Sequence, residues 1–393
     1  MKKGISILLV VFMLLISANT VVAEADSLDI EKVAIQSIKN SEGVQSINRQ
    51  VTEAQKIKAD TNGMVNGARG SLQYQNSYSI VKSIILSPLI AENNLEKVNH
   101  LQSVITNGVR LSSYKDYINL LKVNYALNIQ QGLMNESDAD YRKAKLQETL
   151  GMVSQSQLRL SEITYLKAQY RYNSAQKGFN SVSMAVNKAM GEDISKEYST
   201  LQDSNITPTA QIKSLNYYVG LAIANRADII DAQGTLELMK KEYEYGKAEI
   251  PTDFDFYIQQ QEYAIDNAKN ELDLAKISVQ QNITNLYRDL GSAMKAMEEK
   301  RDLEELAKIN YQAAEIRYSN SEISLQEFDD AKVARAQADI NYKNAQFDAW
   351  LMQTTMDSAC GIGYVPNLKT MGGSTTQVKS KNNPNPTNRR DRN

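Results

Sequence analysis

Residues 314–331, AEIRYSNSEISLQEFDDA, decide the fold, because they sit between two long helical patterns. Upstream, from Pro251, apolar positions recur at Tyr257, Ala264, Ala268, Leu272, Ala275, Val279, Ile283, Tyr287, Leu290, Met294 and Met297, and on to Tyr318. No further proline or glycine pair interrupts that run, and Pro251 suits the first position of a helix. At about 1.5 Å per residue such a helix spans on the order of 100 Å, too long for a compact globular domain. Inside the quoted stretch, Ser319-Asn320-Ser321-Glu322 reads as a polar turn. Beyond it, from about Ser324 to Ser358, a seam of small and apolar residues follows: Ala331, Ala334, Ala338, Tyr342, Ala345, Ala349, Met352 and Met356. Alanine at a seam lets helices approach closely, so the pattern predicts a long antiparallel hairpin.

The period upstream of Pro251 is a heptad. Ile229, Ala232, Leu236, Met239, Tyr243 and Gly246 step by alternating threes and fours, a coiled-coil seam. Val44, Ile47, Val51 and Ala54, ending on Ile57 or Lys58, write the same seam near the N-terminus. Sliding the chain along itself at one constant offset matches Tyr117 with Tyr287, Leu120 with Leu290, Tyr141 with Tyr311, Ser154 with Ser324, Tyr172 with Tyr342, Gln176 with Gln346 and Gly191 with Gly361. Further upstream the offset is larger, pairing Asn40 with Asn225 and Val44 with Ile229, so the first half holds extra residues between about Asp60 and Tyr117. The chain therefore reads as one unit written twice. The expected fold is all-α: long antiparallel coiled-coil hairpins in two tandem repeats, residues 24–202 and 212–365, joined by a linker at 203–211, with little or no β structure.

The ends have their own chemistry. Lys2 and Lys3 precede an apolar run from Ile5 to Ile16, and small residues follow at 21–23, the pattern of a secretory signal peptide over residues 1–23. Ala23-Glu24-Ala25 offers a second cleavage site two residues on, and no cysteine stands at the cut to suggest a lipid anchor. The apolar core is shorter than the roughly 20 residues of a spanning helix. Residues 366–393 carry six Lys or Arg against Asp391 alone and are rich in Asn and Pro, the composition of a disordered basic tail.

The chain's formal net charge is −2, and without clustered Lys or Arg in the body it argues against a nucleic-acid function. Cys360 is the only cysteine and His100 the only histidine, which excludes intrachain disulfides and His-rich metal or acid–base sites. Cys360 reads as a small apolar filler near a helix end, and His100 as a surface residue. Asp253, Asp255 and Glu262 sit near a helix start or on its face, where acids are favoured without any catalytic role. Neither enzyme chemistry nor a cofactor is expected.

Several of these residues resemble a known family. In the quoted stretch Arg317, Tyr318, Ile323, Ser324, Glu327 and Ala331 fall on the hairpin signature of the TolC-like outer-membrane efflux proteins, with Ser321 where glycine is usual. The first repeat keeps the glycine, as Gly151-Met152-Val153-Ser154, but has Gln157 and Ser161 at the acidic and alanine positions. Residues 222–229, AIANRADI, resemble the family's helix-opening A-x-x-N-R-P-D-L, with Ala227 in place of proline. The resemblance spans about residues 27–365. It implies a homotrimer whose three subunits form a twelve-helix hollow cylinder in the cell envelope, a protomer of a TolC-like α-barrel. The hairpin tips would then meet a membrane-fusion-type adaptor and a membrane pump. It also implies β-strands in each repeat that close an outer-membrane barrel.

That last feature has no room here. Only residues 247–253 separate the seam ending at Gly246 from the helix opening at Pro251, whereas two membrane strands need about 9–11 residues each plus a turn. Residues 71–90 offer space for one short hairpin, alternating at Leu72, Tyr74, Tyr78 and Ile80, but one hairpin leaves open sheet edges in lipid. The sequence thus reads as an exported conduit subunit without a membrane barrel, placed at an outer membrane by resemblance and in the periplasm or at the cell surface if the barrel is absent. Its candidate partner-contact residues are Gly151, Met152, Val153, Ser154, Arg317, Tyr318, Ser321, Ile323, Ser324 and Glu327. A structural coiled-coil envelope protein with no transport role is the competing expectation; an adaptor-type protein fits less well, since no β-rich flanking domains are present.

Overall fold

The computed structural model describes residues 26–69, 82–249 and 254–365. The signal peptide, the basic tail, Pro251 and most of the candidate strand hairpin at 71–90 lie outside the described residues. From Lys82 onward that hairpin segment is helical, a short π turn over Lys82–Leu86 leading into a long α-helix, because Pro88 can open a helix but cannot join a central ladder.

The first repeat contains α1 (Ile30–Asn40), α2 (Glu42–Arg69), α3 (Ser87–Thr149) and α4 (Gln155–Met190). The second contains α5 (Leu215–Asn225), α6 (Ala227–Glu249), α7 (Phe254–Ser319) and α8 (Leu325–Cys360). The starts of α1 and α2 recur as those of α5 and α6 at the larger of the two sequence offsets, and both ends of α4 recur in α8 at the smaller. Among the described residues the only strands are β1 (Ser27–Leu28) and β2 (Thr200–Leu201), a two-residue parallel pair. The 66 residues of α7 make a rod of about 100 Å.

The helices lie side by side in a row. α3 packs along α4 and α8 towards the hairpin turns, and along α2 and α6 on the other side of the waist, while α7 packs along α8 and then α6. One edge of the row is therefore α4 continued by α2, and the other edge is α7. Between the end of α6 at Glu249 and the start of α7 at Phe254 lie four residues, too few for two membrane strands. No helix among the described residues is long and apolar enough to cross a membrane.

The core sits at the waist. Leu28, Val33, Tyr117, Ile118 and Val186 of the first repeat are buried together with Phe347 of α8. In the second, Ala222, Val279, Ile283, Leu290 and Met356 form the counterpart. The heptad of α6 points inward throughout, and Gly246 is required by it, since a Cβ there would lie 1.7 Å from the Tyr257 hydroxyl. In α2 the seam ends on Lys58, paired with Glu92, and leaves Ile57 exposed.

Some expectations are corrected. His100 is not simply a surface residue: its Nδ1 lies 2.6 Å from an Asp231 carboxylate oxygen and ties α3 to α6 across the repeats. Ala334 is exposed rather than part of the α8 seam, because the seam turns towards α3 at Ile340 and Phe347. Cys360 is a buried filler, its Sγ against the Tyr218 carbonyl, and burial pushes its thiol up to about 11.

Candidate functional site

The two hairpin turns are built alike, hydrogen bond for hydrogen bond. In the first, the Gly151 N–H donates to the Glu148 carbonyl at 2.9 Å and the Met152 N–H to Gln147 at 2.8 Å. In the second, Ser321 donates to Tyr318 at 2.9 Å and Glu322 to Arg317 at 2.8 Å. Each set closes the open carbonyls at a helix C-terminus and needs one residue in the left-handed region. Gly151 takes that role at φ 71°, and Ser321 takes it at φ 62°, where a side chain strains the backbone.

Each turn then opens the returning helix with a capping box. The Ser154 hydroxyl accepts from the Gln157 N–H while the Gln157 side chain accepts from the Ser154 N–H, and Ser324 and Glu327 repeat the exchange. The Glu327 carboxyl is held below its ordinary range, first by the Ser324 backbone N–H and then by its hydroxyl. Ser154, Ser324 and Glu327 therefore shape the turns through their own capping bonds. Arg317 lies 3.8 Å from Glu322 across its own turn, and Tyr318 stacks on Phe328 with ring centres 4.8 Å apart.

The first tip also turns apolar side chains outward, beside the exposed polar residues of both tips. Met152 is 68 % exposed and its neighbour Leu150, absent from the sequence-based set, is 65 % exposed, while Val153 and Ile323 are half-buried. The two turns share one end of the molecule, since Lys332 of α8 reaches Glu136 of α3 at 3.3 Å and Asp329 of α8 is bonded by Thr164 of α4. Asp329 leaves one buried carboxylate oxygen without a partner, and burial raises its pKa. Tyr141 stacks on Tyr165 in the first hairpin; at the matching place in the second, Arg335 lies over the Tyr311 ring at 4.9 Å.

At the waist, the family-like AIANRADI stretch acquires a mechanical reading. The Asn225 amide donates to the Cys360 carbonyl at 3.3 Å and closes the end of α8; Asn40 does the same for α4 through Ala189 at 3.2 Å. Ala227 stands where proline is usual, and its N–H donates to the Ile362 carbonyl at 3.1 Å, a bond proline could not make. The repeat alignment had already paired the two asparagines, but nothing local told which helix each would close.

Both edges of the row carry exposed apolar stripes. On α7 these are Phe256, Tyr263, Leu274, Ile277, Leu303 and Leu306; on α4 they are Ile163, Leu166, Tyr170 and Met184. Within 256–277, 303–306 and 163–170 the steps are of three, four, seven or eleven, so each group keeps to one side of its helix.

No protein-family model matches the sequence, and no curated protein does either. Solved structures do. The outer membrane protein VceC of Vibrio cholerae is 12 % identical with a TM-score of 0.58, over 86 % of this chain and 97 % of that one. CusC, a protein described by its folding and transmembrane channel formation, is 12 % identical with a TM-score of 0.60, over 85 % and 92 %. The Campylobacter jejuni CmeC outer membrane channel is 13 % identical with a TM-score of 0.53, over 87 % and 88 %.

Proposed function

We propose that this chain, which has the helical fold of TolC-like outer-membrane efflux channels, is one subunit of a ring-shaped export conduit in the cell envelope. The observation that carries the reading is the pair of exposed apolar stripes on opposite edges of one row of helices. A row with two different sticky edges pairs α4 of one copy with α7 of the next, and such head-to-tail contacts close into a ring when the rotation per copy allows. Such a contact brings the six α7 positions against the four of α4, and apolar surface buried there contributes about 25 cal/mol per Å². Three copies give the twelve-helix cylinder of the resemblance. The paired tips, with Leu150 and Met152 outward, form one mouth of the conduit and dock end-on to a helical partner such as a membrane-fusion-type adaptor, which links it to a membrane pump.

In this reading the conduit needs no membrane barrel, since the described residues hold no barrel strands. Mature protein is expected to be extractable without detergent; a chain that partitions only with membranes contradicts this part.

Negative-stain microscopy and light scattering of mature protein test the assembly. Hollow trimers are expected, and Leu306→Glu with Leu166→Glu should return them to monomers with unchanged helicity. Solid rods, dimers, or trimers indifferent to the double substitution refute the conduit. At the tips, Met152→Asp and Leu150→Asp should leave the trimer intact while abolishing adaptor capture.

A further inference from the structure

The protomer contains a finished joint between its repeats, and its two free edges are copies of the two sides of that joint. α3 of the first repeat and α8 of the second meet in the middle of the row, while the matching helices, α7 and α4, lie at its edges. At the smaller sequence offset α4 and α8 coincide from end to end, and α3 and α7 end on matching residues at the turns. What α3 touches on α8 therefore marks what α7 can touch on α4 of another copy.

Four contacts fix the register of the internal joint. Glu136 of α3 meets Lys332 of α8 at 3.3 Å, the Tyr125 hydroxyl meets Asp339 at 2.8 Å, Lys122 meets Asp348 at 2.5 Å, and the Tyr114 ring lies 5.8 Å from that of Trp350. The matching pairs on the free edges are Leu306 with Glu162, Lys295 with Gln169, Ser292 with Gly178 and Thr284 with Asn180. Ile163 adjoins Glu162, while Leu303 and Leu166 stand within one turn of Leu306 and Glu162. This register thus sets Leu303 and Leu306 of α7 beside Ile163 and Leu166 of α4. All four are exposed apolar residues. The internal joint does not require them to be apolar, since Glu136 and Lys332 stand there instead, so their meeting is a second, independent support for the register.

Burial agrees with an edge awaiting a partner. On the helices of the internal joint Leu111 and Ile340 are buried, whereas their counterparts Gln281 and Tyr170 are exposed, Tyr170 by 75 %. Arg288 and Lys177, matching the buried Ile118 and Phe347, are also exposed and carry like charges, which makes the joint at the edges the weaker of the two.

We propose that neighbouring copies join in the register of the internal joint, with Leu303 and Leu306 of one against Ile163 and Leu166 of the next and Ser292 opposite Gly178. The inference rests on the head-to-tail ring proposed above and adds the alignment of the copies along their length. Stronger joints within chains and weaker joints between chains then alternate around the ring, and the tips of all copies stand at one level.

Disulfide trapping in full-length mature protein tests the register. In a Cys360→Ala background, whose own assembly is recorded by light scattering, Leu303→Cys is combined with Leu166→Cys. Leu303→Cys with Gly178→Cys, about 18 Å further along α4, is the shifted pair. Mild oxidation should give covalent dimers and trimers on denaturing gels from the first pair and none from the second. Trimers that crosslink only through the shifted pair, or through neither, overturn the register and leave the conduit standing; crosslinks confined to single chains overturn it as well. A monomeric Cys360→Ala parent overturns both. As a second readout, Ser292→Lys with Gly178→Asp rebuilds the Lys122–Asp348 pair between copies, and a Cβ at Gly178 meets nothing within the protomer. Together they should lower the concentration at which trimers dissociate by about twofold to fivefold beyond what the single variants give. Two substitutions that act independently also overturn the register.

Discussion

Replacing Tyr117 by phenylalanine isolates the strongest tie of the N-terminal strand to the waist. The Tyr117 ring is fully buried, and its hydroxyl lies 2.6 Å from the Leu28 carbonyl of β1 and 2.9 Å from the Gln202 carbonyl just after β2. Burial drives the phenol far above its usual range, so it remains a donor at every practical pH. Phenylalanine keeps the ring, and no cavity opens. The Leu28 carbonyl also accepts from the Gln202 N–H at 2.9 Å, so it stays satisfied, whereas the Gln202 carbonyl loses the hydroxyl. One lost hydrogen bond contributes about 1 kcal/mol and a carbonyl left short of its donor about 1 more, for a loss of about 2 kcal/mol. Urea unfolding followed by circular dichroism measures it, and amide exchange at Gln202 should accelerate. The matched Tyr287 packs half-buried against the Tyr218 ring, so Tyr287→Phe should cost under about 0.5 kcal/mol. Equal losses at the two positions, or none at Tyr117, refute the reasoning, because repeat membership alone would then set the energetics.

The turn strain predicts opposite responses in the two tips: Gly151→Ala should cost about 1 kcal/mol of thermal stability from its left-handed backbone, with open space around the new methyl. Ser321→Gly should stabilise by less than that, because glycine also loosens the unfolded chain. Asp329 has a folded pKa raised above the ordinary 3.8 by burial, so the fold loses stability as pH rises from there through the folded value. Asp329→Asn, assayed by denaturant titration across pH 3 to 8, should flatten that slope and be the more stable form at neutral pH. Asp26 has the opposite sign: Lys32 and Lys196 lower its pKa, so its contribution disappears as pH falls below 3.8, and Asp26→Asn should remove that acid-side loss. Gly246→Ala should destabilise by about 1–2 kcal/mol, overpacking against Tyr257 outweighing alanine's roughly 1 kcal/mol helix preference. Adding Tyr257→Leu should recover most of it in a double-mutant cycle.

The long helices, their turns and their duplication were legible in the residues themselves. A heptad such as Ile229 to Gly246, a turn such as residues 319–322, and a serine with a Gln or Glu three residues on act within about four residues of themselves, which is as far as periodicity and capping reach. The same local arithmetic, applied to the short connector before Pro251, showed that membrane strands do not fit. The contacts between distant segments were not legible. Asn40 and Asn225 close helices 149 and 135 residues away, His100 meets Asp231 from the other repeat, and Tyr117 clamps a strand while its twin Tyr287 lies tilted against the Tyr218 ring. Each of these depends on where distant segments come to rest against one another, and identical side chains receive different neighbours there. The outward tip residue Leu150 belongs to the same class, since exposure is a property of the packed row and not of the residue's place in a pattern.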